Sequence, residues 1–407
     1  MKILVVSQYY YPEQFRITEV CEELVRRGHE VTVLTGRPNY PEGKVYPGYE
    51  HTRRETHNGV EIIRCQIRPR GRGAAALAVN YVSFLLRGWL RAGQLPEDFD
   101  AVFVYQLSPV TMAIPALRYK KRYGAPVYLY CLDLWPESMR DNIPNTASVP
   151  YRLLRRWCEK IYNGADEIGI TSPPFRDYLS SVCAVPAERI TDLPQHAEDM
   201  RRYGDLTTQD NGITDFVFLG NVGVAQDLEN VARAVRLMDT PKPFTVHIVG
   251  TGPMLEPLKE TVRSLGVEGH FAFHGRYPLG QMPRFYRLAD ACLLTLYGDN
   301  AAGQTIPGKL QGYMSAGKPV IAAINGAAAD VIRQAQCGVC AEAGNPAALA
   351  GIMTDFIEHP EQAAQMGQSG RDFYEKHFSL DIFTTNLEEQ LSALPRNQGG
   401  NRENPDD

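Results

Sequence analysis

The chain reads as an α/β protein of two doubly wound domains, each a parallel sheet wrapped by helices, and three observations carry that reading. Its 407 residues exceed what one core usually holds. Short apolar or β-branched runs alternate with amphipathic helical patterns, as crossover-connected parallel strands require. The alternation lapses over a polar stretch near residues 195–214 and then restarts.

In the first half, Ile3–Val6, Val31–Thr35, Val60–Arg64, Ala101–Tyr105, Val127–Cys131 and Glu167–Thr171 read as strands. Glu13–Arg27 is the clearest helix: Ile17, Val20, Cys21 and Leu24 share one face, and Gly28 ends it. In the second half, Phe216–Leu219, Phe244–Val249, Phe271–His274, Ala291–Thr295, Val320–Ala323 and Gly338–Ala341 read as strands. The expected division is 1–195, a linker at 196–213, 214–378, a last helix over 379–394, and a Pro/Asn/Gly/Asp-rich tail at 395–407 without stable structure. Ligands of such sheets bind beyond the carboxyl ends of the strands.

Composition narrows the class. Lys and Arg total 42 against 47 Asp and Glu, a net charge of −5 that argues against a general nucleic-acid binder. The apolar start, Met-Lys-Ile-Leu-Val-Val-Ser, is short and soon meets Tyr-Tyr-Tyr-Pro, so a signal peptide is not expected and the chain reads as cytoplasmic. The eight scattered cysteines suit reduced core positions, and Cys337-Gly-Val-Cys340 has no partner pair for zinc. The apolar segment Ala74–Gly93 is broken by Asn80, Arg87 and Arg91 and preceded by Arg68, Arg70 and Arg72. It suits either a helix with a broad buried face or one lying in a membrane surface, with the arginines toward anionic headgroups or a polyprenyl diphosphate.

The chemistry concentrates in Gln304-Thr-Ile-Pro-Gly-Lys-Leu-Gln-Gly-Tyr-Met-Ser-Ala-Gly-Lys-Pro-Val-Ile321, which reads as loop, short helix and buried strand. Thr305 suits an N-cap, Pro307 the first turn, and Gly317 the stop. Helix-start amides and Lys309 would meet on one anion. This segment resembles the nucleotide-sugar segment of family-4 glycosyltransferases of the GT-B fold, in particular the branch that builds bacterial surface polysaccharides. The starting Met-Lys-Ile-Leu-Val-Val and the Leu132-Asp-Leu-Trp-Pro-Glu-Ser138 motif extend the resemblance over nearly the whole chain. It departs at two points, since most of the family carries glutamates where Gln304 and Gly312 stand here.

The resemblance implies two facing domains and a retaining, metal-independent transferase, with no cofactor beyond a nucleotide-sugar co-substrate. That donor is expected to be UDP-linked, carrying a hexose or N-acetylamino sugar. Its site would comprise Lys309 and Arg276 for the diphosphate, Gln304, Thr305, Ile306, Pro307 and Leu310 around them, and Asn221 with the Gly223 backbone from the loop after the first strand of the second domain. That loop lacks the Arg and Lys the family usually supplies. Arg16 could add charge where relatives have paired glycines, or cover a helix surface. Val249-Gly-Thr-Gly-Pro253 reads as a structural turn. On the acceptor side, Asp133 would orient or deprotonate the acceptor hydroxyl, with Glu137 in support, unless Asp133 only caps the next turn. Trp135 would offer a ring face, and Tyr40 lies in a Pro/Gly/Tyr loop of the kind that shapes acceptor sites. The acceptor is expected to be a lipid-linked or oligosaccharide glycan, met at the inner face of the plasma membrane. A UDP-sugar 2-epimerase and a catalytically inactive sugar-nucleotide binder share the fold and are the rival readings.

Overall fold

The computed structural model describes residues 1–71, 73–142, 145–297 and 306–395. It divides into two units, Met1–Pro194 together with the chain from Phe383 onward, and Gln195–Ile382.

Unit 1 is built as β1 (Lys2–Val6), α1 (Ile17–Arg26), β2 (Glu30–Gly36), β3 (Arg54–His57), β4 (Val60–Cys65), α2 (Ala74–Ala92), β5 (Ala101–Gln106), α3 (Ile114–Tyr123), β6 (Val127–Cys131), α4 (Val149–Gly164), β7 (Glu167–Ile170), α5 (Pro174–Ser181) and β8 (Ile190–Asp192). Its sheet runs β3-β4-β2-β1-β5-β6-β7-β8, parallel except for β3, which pairs antiparallel with β4 at the edge. Every residue of β5 and β6 is buried, as expected of strands covered on both faces. The apolar faces of α2, α3, α4 and α5 join one core, around Phe84, Tyr119, Cys158 and Leu179.

Unit 2 continues with β9 (Thr214–Leu219), α6 (Leu228–Leu237), β10 (Phe244–Val249), α7 (Leu255–Ser264), β11 (Phe271–Gly275), α8 (Pro283–Leu288), β12 (Ala291–Thr295), α9 (Gly308–Ser315), β13 (Val320–Ala323), α10 (Ala327–Ala335), β14 (Gly338–Ala341), α11 (Pro346–Glu358), α12 (Ala363–His377) and α13 (Leu380–Ala393). The sheet, all parallel, runs β11-β10-β9-β12-β13-β14. Strand order reverses between β1 and β5 in unit 1 and between β9 and β12 in unit 2, which opens a crevice at each strand-end face. From Phe383 onward α13 belongs to unit 1: the Phe383 ring lies 5.4 Å from Tyr130, and Glu388 accepts from Arg27 at 2.7 Å.

Three expectations change. The helix expected from Glu13 begins at Ile17, although its buried face is the one foreseen. Glu13 is left in the preceding loop, where its carboxylate is wanted for backbone amides. Residues 196–213 are not a bare linker but a layer of unit 2, because Ala197, Met200 and Leu206 enter its core and Asp199 forms a two-pronged pair with Arg371 at 2.6 and 2.8 Å. Strands β3 and β8 were not foreseen, being short and polar. All eight cysteines are free thiols, seven of them buried.

Candidate active site

In unit 2, the loops after three adjacent strands enclose a cleft of about 400 Å³. Gly220 and Asn221 follow β9, Gly250 and Thr251 follow β10, and Arg276 and Tyr277 follow β11; Met282 completes the wall. Glycine is required where these loops touch. A Cβ on Gly250, at φ +154°, would lie 1.7 Å from the Gly220 carbonyl oxygen, and one on Gly252 would lie 2.2 Å from that of Val222. The Gly-x-Gly turn is therefore a packing device, and Thr251 between its glycines is the part that faces the cleft.

Lys309, the second residue of α9, crosses the edge of this site. A Cβ on Gly220 would strike its Cε at 2.4 Å, its Nζ donates to the Asn221 carbonyl at 3.5 Å, and the ammonium sits 4.1 Å from the Phe218 ring centroid. Among the described residues it has no carboxylate partner. Burial draws it from the ordinary 10.5 down to about 8. A desolvated cation held by one long hydrogen bond and a ring face is poised for an anion. Arg276 is exposed in the same cleft and brings a second cation.

Other expected donor residues are placed differently. Gln304 and Thr305 lie outside the described residues. Pro307 is the N-cap of α9 rather than in its first turn, and its carbonyl already accepts from the Leu310 amide at 2.9 Å. Leu310 is wholly buried in the unit 2 core beside Tyr313 and Met314, so its side chain is not free for a ligand, and Ile306 packs partly buried against that core. The Gly223 amide donates to Gln226 Oε1 at 3.1 Å, which removes it as a donor to a ligand, whereas Asn221 stays exposed in the cleft. At Gly312 a Cβ would meet only the Tyr286 hydroxyl, at an ordinary 3.5 Å. Packing against its neighbours therefore does not demand glycine there.

Unit 1 presents a second constellation at the ends of β1, β5 and β6. Asp133 Oδ2 accepts from the Ser138 hydroxyl at 3.0 Å and from that of Ser108, while its main-chain carbonyl takes Gln106 Nε2 at 3.0 Å and the Tyr162 hydroxyl at 3.4 Å. Glu137 opens the short 3-10 turn Glu137–Asn142 that follows. Trp135 is partly buried against the unit 1 core. Tyr40, 37% exposed, forms an aromatic wall with Tyr9 and Phe15 at centroid distances of 5.1 to 5.6 Å. Arg16 precedes α1, and its charge reaches buried Tyr130.

Sequence reasoning missed Glu13. Almost fully buried, it accepts the amides of Asn39 and Tyr40, both at 2.7 Å, and that of Tyr10 at 3.3 Å. Burial raises its pKa and the three amides oppose that shift. Its partners lie up to 27 residues away, a pairing that no local pattern reveals.

Two doubly wound units, one with a strand-end cleft bordered by a desolvated lysine, are the architecture of GT-B enzymes. Known proteins agree. Residues 14–195 match the glycosyl transferase 4-like domain and 208–373 match glycosyl transferases group 1. The probable glycosyltransferase WbjE of Pseudomonas aeruginosa is 25% identical over 69% of this chain and 72% of its own length. The putative colanic acid biosynthesis glycosyl transferase WcaI of Escherichia coli is 25% identical over 78% and 82%. A GDP-mannose-dependent mannosyltransferase of Mycolicibacterium smegmatis is 30% identical over about a third of each chain. The fold of HepE from Anabaena, solved with UDP, superposes with a TM-score of 0.69 at 14% identity over 97% of this chain and 99% of that one. The chain belongs to the family-4 glycosyltransferases of the GT-B fold.

Proposed function

We propose that this glycosyltransferase moves a hexose or N-acetylamino sugar from a UDP-sugar to a lipid-linked or oligosaccharide acceptor in cell-surface polysaccharide synthesis, with retention of configuration and without a metal. The observation that carries the donor half is Lys309, desolvated and without a carboxylate partner, beside a cleft that Arg276 also lines. Two cations there would neutralise a leaving diphosphate, the task a divalent ion performs elsewhere. WcaI, named for colanic acid, supports the surface-polysaccharide setting. The UDP complex of HepE favours uridine, and the GDP-mannose relative makes guanosine the competitor to test. A thermal-shift screen of UDP-, GDP- and dTDP-sugars, followed by assay of nucleotide release in EDTA, is expected to single out UDP donors. Stabilisation by GDP-sugars alone would overturn the uridine assignment. Binding without release from any sugar, with or without acceptor extract, would leave only a sugar-nucleotide binder.

We also propose that unit 1 meets the inner face of a membrane. Among the described residues no helix is long and apolar enough to cross one. Yet α2 exposes Val79, Val82, Leu86, Trp89 and Leu90, and α4 exposes Val149, Leu153 and Trp157. These two helices and α3, which share one core layer, carry ten Lys and Arg against a single acid, Glu159, in a chain of net charge −5. Apolar stripes with basic flanks suit an anionic bilayer, where each basic residue near the surface adds about 1 kcal/mol. Co-sedimentation with phosphatidylglycerol vesicles, lost in high salt and in L86E/L153E, is the expected result. Equal partition onto neutral vesicles would sink the proposal.

A further inference from the structure

The surroundings of Arg70 in unit 1 are hard to explain as fold alone. Its guanidinium carbon stands 5.3 Å from the Tyr40 ring centroid, and its Nη1 is 3.5 Å from the Tyr9 hydroxyl. Both partners are neutral. Among the described residues no carboxylate lies within 4 Å of it, so most of its five N–H donors have no protein acceptor.

The backbone around it is nevertheless fixed. The Arg70 amide donates to Asn39 Oδ1 at 2.7 Å, and the Asn39 and Tyr40 amides are in turn held by buried Glu13. Gly43, at φ +73°, lies so close that a Cβ there would fall 1.9 Å from the Arg70 carbonyl oxygen. Two loops distant in sequence are thus bolted together with the guanidinium over an aromatic wall. Tyr9, which Arg70 touches, follows β1, and Asp133 follows β6, parallel strands of one sheet, so the cation and that carboxylate lie at the same strand-end face of the unit.

We propose that Arg70 is an anion-reading residue of the acceptor subsite, taking a phosphate or carboxylate borne by the acceptor while the wall of Tyr9, Phe15 and Tyr40 receives an adjoining sugar ring. A planar fork over an aromatic face suits a two-pronged oxyanion contact, and a held guanidinium loses little further freedom when the anion arrives. The inference rests on reading unit 1 as the acceptor half. Asp133 would then act on a hydroxyl of the same molecule that Arg70 anchors.

The test uses the full chain saturated with UDP, so that the donor site cannot take up the probes. Glucose 1-phosphate, glucuronate and glucose are titrated by calorimetry into wild type, R70K and R70Q. At least one anionic probe is expected to bind tenfold or more tighter than glucose. Preference for the phosphate identifies a phosphorylated or diphosphate-linked acceptor, and preference for glucuronate an acidic sugar. R70Q should reduce the anion to the level of glucose, leave glucose itself unchanged, and keep UDP affinity within twofold, with R70K intermediate. Equal binding of all three probes by wild type overturns the proposal without any variant being needed. So does an R70Q that loses glucose in parallel, since that is the mark of a structural role. Failure of UDP to saturate the protein would instead strike at the donor reading.

Discussion

Replacing Lys309 with alanine is expected to weaken UDP binding by about 10- to 150-fold, the equivalent of roughly 1.5 to 3 kcal/mol for a lost charge-assisted contact. Burial has lowered its pKa to about 8, so in the free protein the ammonium is mostly charged at pH 7 and mostly neutral at pH 9. Because it is the charged form that binds a diphosphate, wild-type affinity should fall as pH rises through 8. Binding above pH 8 should draw a proton from buffer. The K309A protein should show neither effect, and the second ionisation of a phosphate, near pH 6, lies clear of this window. The same burial has a cost when no ligand is bound. With the folded pKa below the unfolded one, stability is reduced below about pH 8 and recovers as pH rises toward 10.5. K309M should therefore melt higher than wild type without UDP at pH 7, and gain less from UDP. Calorimetry in two buffers and melting curves at pH 7 and 9 measure all of this. UDP affinity unchanged in K309A, or a flat pH profile in wild type, would remove Lys309 from the donor site.

The parts legible in the sequence are those written in local periodicity. Twelve of the fourteen strands need no more than that, as β5 and β6 do, and so does α1, whose buried face of Ile17, Val20, Cys21 and Leu24 follows the 3.6-residue repeat. What stayed hidden depends on contacts far apart in the chain. Asp199 looks like a linker residue until Arg371, 172 positions on, is seen against it. Glu13 looks like a first-turn helical acid until the amides of Asn39 and Tyr40 converge on it. At the site, the lysine was legible because cation and helix start are neighbours in sequence. The burial of Leu310 was not, because adjacency to a motif does not say whether a side chain points to ligand or core. Gly223 failed for a related reason, its amide being claimed by Gln226 three residues later.

Asp133→Asn is expected to lower turnover by about 100-fold or more, within the range that a positioned general base contributes, while UDP affinity stays within twofold. The distribution of hydrogen bonds at this residue separates that role from a structural one. What ties Asp133 to the fold is mainly its main-chain carbonyl, which accepts from Gln106 and Tyr162 and is untouched by the substitution. The carboxylate has Ser108 and Ser138 on Oδ2, and an asparagine can still offer them a carbonyl oxygen. Melting temperature should thus change little, and what disappears is the capacity to take a proton from an acceptor hydroxyl. Ser108→Ala supplies the comparison: it loosens the orientation of the carboxylate without removing it, and should cost less than Asp133→Asn. A variant that melts well below wild type yet keeps its turnover would show the side chain to be a turn cap. An equal loss of UDP binding would place it on the donor side.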